Sequence, residues 1–140
     1  MCLIKLNKDF KLGLNESTII LTSLLHDLCK VNNYTKVKKV FKDDDSNTWY
    51  DYITYETSKD ISIPLGHGEK SVMMILEFIK LSDLEKLMIR WHMGAFEEGS
   101  LSNGLSSALD YHNGVLALHL ADSQASRFLE ATVNHREIKR

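Results

Sequence analysis

The chain has 140 residues, 44% hydrophobic and 26% charged, and its 17 basic and 19 acidic residues leave a formal net charge of -2. That length supports one domain with a single sizeable core. The composition excludes a general nucleic-acid binder, which carries a clear basic excess, and no apolar stretch is long enough to span a bilayer.

Two cysteines, Cys2 and Cys29, make no disulfide framework. Cys29 reads as a small core residue. Met1-Cys2-Leu3-Ile4 is followed by Lys5 rather than by the apolar core of a signal peptide. A reduced cytoplasm is therefore the expected compartment. No internal repeat or low-complexity run divides the chain, so residues 1–140 are expected to form one domain, with a frayed polar tail over 131–140.

The first clear helix is expected from Asn15, a good N-cap, with Glu16 in its first turn. Ile19, Ile20, Leu21, Leu24, Leu25 and Leu28 surround much of the cylinder, which predicts a central helix ending near Lys30 to Asn33. Residues 34 to 56 change character. Val37, Val40, Trp49, Tyr50, Tyr52, Ile53 and Tyr55 are strand formers around the turn cluster Asp43-Asp44-Asp45-Ser46-Asn47, predicting a hairpin of roughly 35–42 with 48–56. Pro64-Leu65-Gly66-His67-Gly68-Glu69 then leads into a helix ending near Lys80, with Val72, Ile75, Leu76 and Ile79 as its buried stripe. Ser82 and Glu85 form a capping box for a helix reaching Met93, where Gly94 stops it. A loop over 94 to 103, a short helix over Leu105 to Tyr111 and a last helix after Asn113-Gly114 complete the chain. The last helix is expected to bury Leu116, Leu120, Phe128 and Leu129. The predicted architecture is mostly α, helices on helices, with one β-hairpin.

Chemistry concentrates in Leu24-Leu25-His26-Asp27-Leu28-Cys29-Lys30. An imidazole and a carboxylate at the end of an apolar run are costly to bury unless paired or bound to a cation. His67 and His92 also sit where elements begin or end, and Asp122 lies between apolar neighbours in Leu118-His119-Leu120-Ala121-Asp122. Imidazole and carboxylate ligands together suit Mn, Fe, Ni, Zn or Mg. Lys30 follows the dyad by one turn and reaches a phosphate oxygen as a point charge. The residues alone leave the alternative open: helical histidines are commonly satisfied core or surface groups, and Asp27 and Asp122 can bond to backbone. His119 reads as structural, although it lies one turn from Asp122, and His112 and His135 read as surface residues.

The dyad segment resembles the second motif of the HD-domain superfamily of metal-dependent phosphohydrolases. Gly66-His67-Gly68-Glu69-Lys70-Ser71, Ile89-Arg90-Trp91-His92-Met93-Gly94 and Ala117-Leu118-His119-Leu120-Ala121-Asp122 fit the family's later pieces in order, over roughly residues 15 to 130. The resemblance implies an HD-like helical bundle with a hairpin insertion and a divalent metal held by His26, Asp27 and Asp122. In its two-metal members His67 and His92 hold a second ion; in one-metal members they contact the substrate phosphate or its water. Lys30 is then the phosphate-side cation, and water attacks a phosphate ester or anhydride of a small, nucleotide-like substrate. The family pattern begins with one further His on a preceding helix, and none stands before His26. The chain therefore resembles an N-terminally short form, with weakened metal binding, impaired turnover and apolar surface that favours a homo-oligomer. The alternative is a catalytically degenerate HD module that binds a nucleotide or a protein partner. Lys36, Lys38, Lys39 and Lys42 read either as a phosphate-attracting flap or as a solvated strand face.

Overall fold

In the computed structural model the described residues are 2–31, 33–43, 47–57, 65–96 and 103–129. They form six α-helices and one two-stranded antiparallel hairpin, so the protein is mostly helical.

Helix α1 (Cys2–Asp9) buries Leu3 and ends in a turn with Lys11 and Gly13 at positive φ. Asn7 closes that turn. Its Nδ2 donates to the Leu14 carbonyl and its Oδ1 accepts from the Leu14 N–H, each at 3.0 Å. Helix α2 (Glu16–Leu25) starts as expected: Asn15 Oδ1 accepts from the Thr18 N–H at 2.8 Å. It stops at Leu25, short of the expected Lys30 to Asn33. His26 is its C-cap, and Leu28–Lys30 form a single 3-10 turn. Nor is it buried all round. Thr18, Ile19 and Thr22 face inward, whereas Leu24 is 74% exposed. The closest contacts of the helix are with α4 and α1.

Strands β1 (Tyr34–Asp43) and β2 (Thr48–Thr57) pair from Tyr34 opposite Thr57 to Asp43 opposite Thr48. They belong to a compact unit of their own. Phe41 stacks on Tyr50 and meets Tyr52 edge-on, which gives one hairpin face its packing. Asn47 adopts φ 51 at the turn; Asp44, Asp45 and Ser46 of the expected turn cluster lie outside the described residues.

Helix α3 (His67–Leu76) opens at Gly66, whose N–H donates to Glu69 Oε2 at 3.3 Å. It ends before Lys80, and of its expected stripe Ile75 is buried and Val72 half-buried, while Leu76 and Ile79 are exposed. Pro64 lies outside the described residues. Helix α4 (Asp83–Arg90) carries the capping box in full: Glu85 N–H donates to Ser82 Oγ, and Glu85 Oε2 accepts from the Ser82 N–H at 2.8 Å and hydroxyl at 2.7 Å. Glu85 Oε1 also accepts from Thr18 Oγ1 at 2.9 Å, tying α4 to α2. α4 ends at Arg90 rather than Met93. Residues 91–93 turn, and Gly94 enters a 3-10 turn (Gly94–Phe96) at φ +58.

Helix α5 (Asn103–Tyr111) precedes helix α6 (Gly114–Phe128). The expected stripe of α6 is on its outside: Leu116, Leu120, Phe128 and Leu129 are all exposed, Phe128 at 82%. The inward face is Val115, Ala117, Leu118 and Ala121, packed toward α1 and α4. Small residues let the helix axes approach closely, and the large side chains are left outside. Of the expected loop over 94 to 103, residues 94–96 form the 3-10 turn, Asn103 already belongs to α5, and 97–102 lie outside the described residues, as does the tail from residue 130.

The helical core has two clusters. Leu3, Leu14, Ile19, Met88, Trp91, Val115 and Leu118 belong to one; Ile75, Leu81 and Ile89, with Leu21, Leu25, Leu28 and Val72 against them, make the other. Among the described residues no helix is long and apolar enough to cross a membrane.

Candidate metal centre

The early end of α2 is what makes the dyad a site. Successive side chains on a helix point about 100° apart, so two adjacent ligands rarely converge from within one. Here α2 ends at Leu25, His26 caps it, and both His26 and Asp27 lie in the turn that follows. Asp27 is also held by the Lys30 ammonium at 2.7 Å.

His26, Asp27 and His92 bring one ligand atom each within 4.8 Å of one another. His26 Nε2 is 3.6 Å from Asp27 Oδ2 and 3.5 Å from Asp122 Oδ1, and His92 Nε2 is 3.4 Å from Asp27 Oδ1. The two rings meet edge-on at 4.9 Å. Each imidazole is held by its other nitrogen. His26 Nδ1 lies 3.0 Å from the Ser23 carbonyl and His92 Nδ1 lies 2.7 Å from the Ile89 carbonyl. A carbonyl only accepts, so both Nδ1 atoms carry protons and donate. In the neutral rings Nε2 is then a bare lone pair aimed at carboxylate oxygens, the tautomer a metal ligand needs.

Bare nitrogens facing anionic oxygens repel unless a proton or a metal cation lies between them. The His92 side chain is fully buried, yet its Nε2 and Asp27 Oδ1 complete no hydrogen bond. Such orphaned polar atoms are costly and call for a partner. His26, Asp27 and His92 offer two imidazoles and one carboxylate that could hold a metal ion, and Asp122 reaches the group through its contact with His26.

The charges of the metal-free site are strongly coupled. Burial pushes the Asp27 carboxyl up, but the His92 ring, the Lys30 ammonium and His26 outweigh it and hold the group far below the usual carboxylate range. Burial pushes His26 down, and its contacts with Asp122 and Asp27 more than reverse this, so its pKa stands above 6.5. The contact with His26 lowers Asp122, against the opposing effect of burial.

Of the residues expected from the sequence, His26, Asp27, His92 and Asp122 come together, and Lys30 joins them through Asp27. His67 is outside the group of three; its Nδ1 lies 3.6 Å from Cys29 Sγ. Three of the four lysines of β1 are engaged within the hairpin, Lys38 with Asp51, Lys39 with Glu56 and Lys36 over the Tyr55 ring.

Five supporting residues carried no role in the site as read from the sequence. Ser71, fully buried, accepts from the Cys29 N–H at 3.2 Å and ties the turn after the dyad to α3. It is one helical turn beyond His67, a spacing that hints at a shared face. Gly68 lies so close to the last turn of α4 that a Cβ there would collide with the Arg90 and Ile89 carbonyls. Glu69 and Arg90 close the same junction with an ion pair at 2.7 Å. His119 Nδ1 lies 2.7 Å from the His92 carbonyl and so donates to it.

Comparison of the chain with family models, with curated proteins and with solved structures gives no match.

Proposed function

We propose that this protein is a metal-dependent phosphohydrolase of HD type, acting on a phosphate ester or anhydride of a small, nucleotide-like substrate. The observation that carries the reading is the pair of orphaned buried atoms, Asp27 Oδ1 and His92 Nε2, 3.4 Å apart beside His26. The HD-like order of His26-Asp27, His92 and Asp122 along a mostly helical chain supports it.

In this reading His26, Asp27, His92 and Asp122 hold one divalent ion. Such an ion supplies Lewis acidity toward a phosphoryl oxygen and acidified water at neutral pH. The chain's own groups do the rest. The Ser23 and Ile89 carbonyls fix the tautomers of His26 and His92. Lys30, with its side chain 39% exposed, places positive charge at the rim, where an anionic phosphate is attracted and oriented.

Metal analysis and a panel of phosphate esters, nucleoside phosphates included, under added Mn2+ test the proposal. The expected result is about one ion per chain, turnover of at least one phosphorylated substrate, and loss of both in Asp27→Ala. Protein that neither retains nor binds a divalent ion and turns over nothing would end the enzyme reading and leave a binding module.

A further inference from the structure

We infer that His119 is a positioning residue for the metal centre, setting where His92 presents its Nε2. The inference rests on the proposed metal site. His92 is not on a helix: it lies in the turn over residues 91–93, just beyond α4. A turn residue lacks the hydrogen-bond ladder that fixes a helical side chain, so its backbone needs other supports. The Gly94 N–H donates to the Trp91 carbonyl at 2.8 Å and closes the turn locally. A further support crosses from α6: His119 Nδ1–H donates to the His92 carbonyl at 2.7 Å.

The ring of His119 also lies close to Gly94 in the turn. A Cβ on Gly94 would fall 3.0 to 3.2 Å from three atoms of that imidazole, and Gly94 stands at φ +58, a conformation that favours glycine. A side chain at residue 94 would therefore crowd the ring. Three residues on, the same helix presents Asp122 to His26 at 3.5 Å. α6 thus grips both imidazoles of the site, His26 through a carboxylate and His92 through its backbone. Partners that orient metal-ligating groups in this way are worth 10- to 100-fold in metal affinity.

Two substitutions separate positioning from bulk. His119→Leu removes the donor and keeps an apolar body. His119→Asn keeps an N–H close to where Nδ1 stands. Titration calorimetry with Mn2+ should show binding weakened roughly 10- to 100-fold in His119→Leu and substantially restored in His119→Asn. Asn7→Ala, which breaks the clasp after α1, serves as the control: it should lower Tm without changing Mn2+ affinity. A metal-free readout accompanies these. The His92 ring should give one sharp set of NMR signals in wild type and His119→Asn, and broadened or multiple signals in His119→Leu. Equal Mn2+ affinity in wild type and His119→Leu, or unchanged His92 signals, would overturn the inference. Wild type that binds no Mn2+ while the His92 signals still respond as expected would instead overturn the metal reading and leave the positioning of His92 standing.

Discussion

At the scale of single residues, the centre is a set of side chains whose protonation states depend on one another. Their shifted pKa values set the sign of the pH dependence of the metal-free protein. His26 is raised above 6.5, so its contribution to stability is complete below that value and is lost as pH climbs through the elevated pKa. Asp27 and Asp122 are lowered, so theirs is complete above 3.8 and is lost as pH falls through the depressed values. Metal-free protein should therefore be most stable between about pH 4 and 6.5, and its Tm should decline from pH 6.5 to 8. His26→Gln should flatten the alkaline limb. Thermal scans across this range check both, and an equal alkaline decline in the variant would show that His26 is not its source.

At the scale of elements, the contact between α3 and α4 decides whether His92 arrives at all. Gly68→Ala sets a Cβ against the Arg90 carbonyl, which belongs to the backbone and cannot swing away. The expected cost is about 2–3 kcal/mol, as for other overpacked sites, with weaker Mn2+ binding because the residue displaced lies just before the His92 turn. Denaturant unfolding with a parallel metal titration measures both. This scale also shows what could be read from the sequence. The helix starts at Asn15 and Ser82 were legible because a cap is a local device, one side chain accepting from an N–H three residues on. The ends of α2 and α4 were not. Both helices stop short of their apolar pattern, and each gives way to a turn that carries a site residue, Asp27 after α2 and His92 after α4. The inward face of α6 was misread because periodicity ranks large residues as core, whereas close approach to α1 and α4 selects Ala117 and Ala121. The dyad, His92 and Asp122 could be named from the sequence; that His92 rather than His67 meets Asp27 depends on where α3 and α4 dock, which no spacing along the chain records.

At the scale of the whole molecule, the donors come from three well-separated stretches: residues 26–27 after α2, residue 92 after α4 and residue 122 in α6. Among the described residues the proposed metal site lies within no single element, and its full donor set exists only once α6 has docked against α4 and its Asp122 faces His26. That assembly from distant segments has a kinetic consequence. Contacts of long sequence separation tend to form late in folding, so an ion that needs all of them binds the native state and has little purchase on the transition state. By rate–stability partitioning, Mn2+ should slow unfolding and leave the refolding rate nearly unchanged. At about one hundred times its Kd the ion adds about 2.7 kcal/mol of stability, which placed wholly on the unfolding limb is roughly a hundredfold longer native lifetime. Stopped-flow chevrons with and without Mn2+ would show it as a displaced unfolding arm over a common folding arm. An ion that accelerated folding instead would mean that α6 reaches the dyad before the barrier is crossed.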